Sequence, residues 1–250
     1  MFKKLLFFLF LTLALLIVKA PASLLDGLVA RFTGDGLRLQ QAEGSLWHGR
    51  GVLASRDAGG RSLSPWLPLA WDFDAGALGH LAVAWSLSSS GSPVGTVEAG
   101  IHGLTVSKLA LHAPANTALS PIPHPVARAG WQGDLTIESP HWQCPADGKC
   151  SGEARLLWRG ARSALFPGRQ FGDYDIRVTA QAGHLRYTVQ TLAGEVIVNG
   201  QGEAPYGQMP RFDGTISGDP DFLGRLPAIA GGAATPTGRP GQFAIHWPPH

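Results

Sequence analysis

"HLAVAWSL", residues His80 to Leu87, alternates without a break: Leu81, Val83, Trp85 and Leu87 share one parity, and the small Ala82, Ala84 and Ser86 fill the other. A period of two belongs to an extended strand, whose successive side chains point to opposite faces. The stretch therefore reads as a strand with one apolar face. The same alternation returns in Tyr174, Ile176 and Val178 of "DYDIRVTA", in Leu185, Tyr187 and Val189 of "HLRYTVQT", and in Phe243, Ile245 and Trp247 of "QFAIHWP". The spacers "SSSGSP", "CPADGK", "TAQAGH" and "VNGQG" carry turn chemistry and are too short for the crossover helices that parallel strands require. The fold class that follows is mainly β: a curved antiparallel sheet or a sandwich-like domain, with one or two short helices.

Composition agrees. The chain has 250 residues, 44% of them apolar, with 33 glycines and 19 prolines spread without a strict period and only 15% charged residues. Many short strands with frequent turns account for that mixture. The net charge of +2 is dispersed along the chain, with no continuous basic stripe for a phosphate backbone, which argues against nucleic acid as a partner.

Two stretches read as helices beyond the N-terminus. In the first, Ser23 is placed to cap, Asp26 stands where a capping box puts its acid, and Leu24, Leu25, Leu28, Val29 and Phe32 form one stripe ending at Gly34. It is either a membrane-proximal helix or one that covers the core. In the second, "GDPDFLGRLPAIAGG", Asp219 caps, Pro220 takes the first helical position, and Phe222, Leu223 and Leu226 face inward until Pro227.

The N-terminus carries Lys3 and Lys4, then the uncharged run Leu5 to Val18, then Lys19. The run matches the apolar region of a signal peptide, and Ala20-Pro21-Ala22 offers a small-x-small cleavage site. With flanking apolar residues and snorkelling lysine stems it also approaches the length of a membrane span. Residues 1–22 are thus a retained signal-anchor or a cleaved signal. Either one exports residues 23–250, and the lysine pair ahead of the run leaves the N-terminus in the cytoplasm. In an oxidising compartment Cys144 and Cys150, with five residues between them across a Pro/Asp/Gly turn, are placed for a disulfide that closes a small loop. Zinc would need further ligands, and His141 belongs to no paired spacing.

"GSLWHGRG", Gly44 to Gly51, sets one indole among glycines. Gly44 and Gly49 let the chain turn or bulge so that Trp47 packs against neighbouring strands while His48 and Arg50 face water. Trp158, Arg159 and Gly160 repeat the order tryptophan, basic residue, glycine, and Trp71 lies on a strand between the two copies. A weak internal duplication and a chance repeat both fit those three residues.

These stretches, "AEGSLWHGRGVLA", "LPLAWDFDAGALGHLAVAWSL" and "CSGEARLLWRGA" behind an exported apolar segment, resemble protein N of the bacterial type II secretion system, also called general secretion pathway protein N. The resemblance is carried best by Gly44, Ser45, Leu46, Trp47 and Gly49 followed by the Trp71 strand, and the paired cysteines ahead of a W-x-G strand suit it. It implies an inner-membrane protein with its bulk in the periplasm, an accessory part of the machinery that exports folded proteins across the outer membrane. Other inner-membrane and periplasmic secretion components would be its partners. No catalytic, cofactor-binding or metal-binding residues come with it.

The residues themselves point away from an enzyme. No serine has glycine two positions before and after it, so the hydrolase nucleophile elbow is missing, and paired cysteines leave no thiolate. Gly49-x-Gly51-x-x-Ala54 satisfies a dinucleotide glycine pattern, but "SRDAGGRSLSPW" cannot supply the helix that would hold the pyrophosphate. Asp72/Asp74 and Asp173/Asp175 sit two apart and read as solvent-face acids. The histidines of "HWPPH", His246 and His250, flank prolines that forbid helical metal pairing. Two functional readings stand: an assembly component of a secretion platform, and a lipid-binding or lipid-bridge protein whose concave apolar face takes acyl chains.

Overall fold

The computed structural model of the chain describes residues 2–57, 60–120, 129–206, 208–224 and 232–248. Among them runs one antiparallel sheet of fourteen strands: β1 Leu37–Gly44, β2 His48–Arg56, β3 Leu63–Asp74, β4 Ala82–Ser89, β5 Ser92–Gly100, β6 Gly103–Pro114, β7 Trp131–Cys144, β8 Ser151–Ser163, β9 Gln170–Gln181, β10 His184–Ala193, β11 Ile197–Pro205, β12 Arg211–Ser217, β13 Ala234–Pro236 and β14 Gln242–Trp247. Neighbours in sequence are neighbours in the sheet as far as β12, after which β14 pairs with β12 and β13 takes the far edge. The sheet is open, and the sandwich alternative falls away because every strand belongs to this one sheet.

Helices are few. α1, Phe2–Val18, is a 17-residue apolar helix, and α2 spans Ser23–Phe32. No helix among the described residues is long and apolar enough to cross a membrane. α3, Ala115–Ala118, and α4, Pro220–Leu223, are single turns, and a 3-10 turn covers Ala75–His80. Asp219 caps α4, accepting from Asp221 N at 3.0 Å. Leu226 and Pro227 lie outside the described residues.

Alternating strand directions give the sheet two ends. One, the anchor end, holds the α1–α2 junction and the turns at Ser45–Trp47, Ala75–Leu81, Ile101–His102, Pro145–Cys150 and Ala182–Gly183. The opposite end holds the turns at Ser90–Gly91, Ala164–Arg169 and Gly194–Val196, together with α3 and α4. Each end has its own core. At the anchor end Ala22, Leu39 and Trp71 are buried with Leu25, Trp85 and Leu87 packed on them. At the other end Ala161, Phe171, Tyr174 and Val196 gather Trp131, Trp158, Phe166 and Phe222, and Leu223, Ala234 and Phe243 extend the cluster.

The alternation of β10 is as the sequence shows it: Leu185, Tyr187 and Val189 are half-buried and Arg186, Thr188 and Gln190 exposed. "VNGQG" is no turn. It lies inside β11, where Gly200 and Gly202 run beneath aromatic rings. A Cβ on Gly200 would stand 2.5 Å from Phe212 Cζ, and one on Gly202 2.3 Å from Tyr187 Cζ. The Tyr187 and Phe212 rings stack at 6.0 Å, so these glycines serve close packing on a strand face.

α2 guards the edge of β1. Leu39 N donates to Asp26 Oδ1 at 2.8 Å and Leu37 N to Thr33 Oγ1 at 3.0 Å. Arg38 Nε donates to the same Asp26 carboxylate at 2.9 Å. Asp26 is therefore no capping-box acid, and Ser23 does not cap: the residue before the helix is Ala22, with no side-chain cap. At the far edge β13 is only three residues long and ends in Pro236, a short, proline-bearing strand of the sort that blunts sheet edges.

Candidate functional site

Of the residues that the sequence singles out, Gly44, Trp47, Gly49 and Trp71 meet at the anchor end. Gly44 pairs with Gly49 across β1 and β2. Gly44 has φ 95°, open to glycine but costly for other residues. Gly49 lies under the Trp71 indole: a Cβ there would be 2.5 Å from Glu43 O and 2.6 Å from Trp71 Cζ2. The frame of glycines thus makes room for Trp71, which is 2% exposed, while Trp47 is only half-buried. The packing role that the sequence suggests for Trp47 is carried by Trp71, one strand away.

The turn between Gly44 and His48 is held from three sides. Trp71 Nε1 donates to Ser45 O at 3.1 Å, Trp85 Nε1 to Leu46 O at 3.0 Å, and Phe73 N to Trp47 O at 2.7 Å. These are carbonyls that a hairpin tip ordinarily leaves to water. The turn in turn grips the start of the chain: Leu46 N donates to Ala20 O at 2.8 Å, Ala22 N to Gly44 O at 3.2 Å, and Pro21 forms a bridge with Ser45. Trp47 Nε1 donates to Ile17 O at 2.9 Å, satisfying a carbonyl in the last turn of α1, and its ring meets Phe73 edge-on at 5.0 Å. Ala20 and Ala22, the two small residues of the cleavage-like triplet, are both buried. His48 and Arg50 are exposed, paired with Asp72 and Glu43 respectively.

The second tryptophan-glycine copy lies at the opposite end. Trp158 packs edge-on against Trp131 at 5.1 Å, and its Nε1 donates to Gln132 O at 3.1 Å. Gly160, at φ 60°, donates through its N–H to Asp173 Oδ1 at 2.7 Å. Tyr174 lies beside it with its hydroxyl donating to Val196 O at 2.9 Å, and burial pushes its pKa up to about 12. In both copies the indole donates to a backbone carbonyl and meets an aromatic ring edge-on, but the glycines differ: Gly49 underlies Trp71, and a Cβ on Gly160 would meet nothing within 4 Å.

Asp175 does not face solvent. It is 3% exposed, held by Arg155 through two bonds of 2.9 and 3.0 Å and by Arg177 at 3.1 and 3.2 Å. The Arg155 guanidinium holds its carboxyl below the usual carboxylate range. Asp72 and Asp74 are exposed, and Asp74 caps the 3-10 turn. Cys144 and Cys150 are bonded to each other across the β7–β8 turn. No group of three or more His, Cys, Asp or Glu placed to hold a metal occurs among the described residues.

A junction in which the first helices are stitched to a tryptophan-lined hairpin, ahead of a long meander, sets the frame for comparison with known proteins. Residues 35–237 match the family model for the type II secretion system (T2SS), protein N. The chain belongs to that family. The match begins just ahead of β1 and ends just past β13, so it takes in the Gly44–Trp71 hub and the Trp131–Phe222 cluster. Comparison with curated proteins and with solved structures finds no match. Protein N is a component of the type II secretion system, and membership carries the expectation of contact with other components of that system.

The sequence signals Gly44, Gly49 and the tryptophans, but not their division of labour. The Ala20–Ala22 bridge could not be found by periodicity, since it is a two-bond contact between segments of unlike character. The Asp175 pair of arginines left a faint trace: Arg155 and Arg177 stand opposite one another in register on β8 and β9, with the acid two residues before Arg177.

Proposed function

We propose that this protein is a membrane-tethered periplasmic component of the type II secretion system that supports export of folded proteins across the outer membrane. The observation that carries the reading is the protein N family match over residues 35–237. Residues 1–22 serve as the anchor in the inner membrane and residues 23–250 form the periplasmic β domain, which meets other secretion components. Support for a retained anchor over a cleaved signal comes from Ala20–Ala22. Cleavage after Ala22 would remove the bonds from Leu46 N, Ala22 N and Trp47 Nε1 and uncover the wall of the Trp71 core.

Crosslinking in the intact envelope, with the captured species identified by mass, tests the partnership: other type II secretion components are the expected catch. Protease added to spheroplasts should digest the domain, and N-terminal sequencing of the membrane-bound protein should begin at or near Met1. A mature chain starting at Ser23 would overturn the tether and leave export intact, while protection from the protease would overturn the periplasmic placement.

A further inference from the structure

We infer that the turns at the anchor end nearest α1 rest on the membrane, with Leu78, Leu81 and Ile101 in the lipid interface. These three large apolar side chains are 55%, 75% and 74% exposed on adjacent turns. Leu78 belongs to the 3-10 turn, and Leu81 follows it as the first residue outside β4. Ala82 pairs with Gly100, which sets Leu81 and Ile101 side by side at the tips of neighbouring hairpins. Turns exposed to water are ordinarily built from Gly, Pro, Asn, Asp and Ser. Here a leucine is kept in the left-handed region, at φ 58°, where non-glycine residues are uncommon.

The occupant is named by what adjoins this rim. The path from α1 to the turn is continuous: Ile17 O accepts from Trp47 Nε1, Trp47 O accepts from Phe73 N, and Phe73 is two residues from the start of the 3-10 turn. Every α1 side chain whose burial is described is exposed, a surface left for lipid. Once α1 enters the bilayer, the turns one and two hairpins from its exit are the parts of the sheet nearest the headgroups. Exposed Lys19 at that exit suits anionic headgroups, and the half-buried Trp47 suits the interfacial belt where indoles sit. An apolar surface of this kind beds about 5–10 Å into the boundary between headgroups and acyl chains.

This inference rests on the tether of the proposed function, and the experiment separates the two. The chain has two cysteines, bonded to each other, so a thiol-reactive fluorophore goes to a single introduced cysteine. Full-length Leu81→Cys, Ile101→Cys, Leu165→Cys and Leu11→Cys proteins are labelled and reconstituted in phosphatidylethanolamine/phosphatidylglycerol vesicles with or without lipids carrying a nitroxide quencher. Leu165 is an exposed leucine at the opposite end of the sheet. Shallow nitroxide should quench labels at positions 81 and 101 at least about twofold more than at 165, as an interfacial depth requires, and deep nitroxide should quench position 11. Quenching at 11 with labels at 81 and 101 no better quenched than at 165 overturns the rim contact and spares the tether. No quenching at 11 overturns both. Ile101→Cys keeps the test open if Leu81→Cys, at its left-handed position, alters the turn.

Discussion

Trp71→Ala, set beside Trp47→Ala, tests the division of labour at the hairpin. The Trp71 side chain carries about 200 Å² and is 2% exposed, so at about 25 cal/mol per Å² its burial is worth about 5 kcal/mol, a ceiling because the unfolded chain already hides part of that surface. Tryptophan-to-alanine changes in cores cost about 3–5 kcal/mol, and that is the expected loss here. Gly49 gains nothing from the void, since the backbone beneath the ring is fixed by the β1–β2 pairing. Trp47 is half-buried, with one edge-on partner and one bond to Ile17 O, so its truncation should cost only about 1–2 kcal/mol. Against a domain stability of roughly 5–15 kcal/mol, the first variant is severely weakened and the second is not. Guanidinium unfolding of the full-length protein in detergent, followed by far-ultraviolet circular dichroism, reads both. A Trp47→Ala loss equal to or greater than that of Trp71→Ala would refute the assignment of the core to Trp71.

Further outcomes follow from the same contacts. The folded Asp175 carboxyl is held below its unfolded value of about 3.9, so its ion pairs stabilise the protein above that pH and the contribution is lost as pH falls through the lowered folded value. Asp175→Asn should therefore cost about 1–3 kcal/mol at pH 7, with a gap from wild type that narrows below about pH 4 in urea titrations; a gap unchanged at pH 3 would contradict this. Reducing the Cys144–Cys150 bond should lower stability by about 2 kcal/mol, from the entropy a short loop returns to the unfolded chain, and non-reducing peptide mapping should find the bridge in protein taken from the envelope. Asp26→Ala removes the acceptor for Leu39 N and for Arg38 and should raise self-association through β1, seen as concentration-dependent species in size-exclusion chromatography with light scattering.

What the sequence made legible was whatever repeats. Leu185, Tyr187 and Val189 announce a one-sided strand because a period of two leaves its mark in consecutive residues, and "TAQAGH" announces a turn because Ala182 and Gly183 take left-handed angles, φ 51° and 81°. The failures share a cause: they depend on what lies across the sheet. "VNGQG" has the composition of a turn, yet its glycines answer to the rings of Tyr187 and Phe212 on flanking strands. Leu81 has the right parity for β4 but sits on the wrong side of its boundary, in the turn. Trp47 sits among glycines in sequence, whereas the indole that needs their missing side chains arrives from β3. Asp175 shares a strand parity with exposed Arg177, and only the approach of Arg155 from β8 closes over it. Ser23 and Asp26 have near-capping spacing, but the edge of β1 competes for the carboxylate and wins with the Leu39 N–H and the Arg38 guanidinium.

The guarded edge of β1 also decides how this domain can be read by another protein. A common way to recognise a sheet is to extend it, with a partner's peptide borrowing the outermost row of amides and gaining affinity from main-chain bonds that are nearly indifferent to sequence. Here two of those amides, at Leu37 and Leu39, already serve Thr33 and Asp26. A partner approaching that flank meets instead the outer side of α2, where Leu24, Leu28 and Phe32 are exposed at four-residue intervals. Recognition there is a matter of side-chain shape, and so of sequence: a substitution at one of these three positions can discriminate between partners, where the same change beside a borrowed row of amides would scarcely be felt.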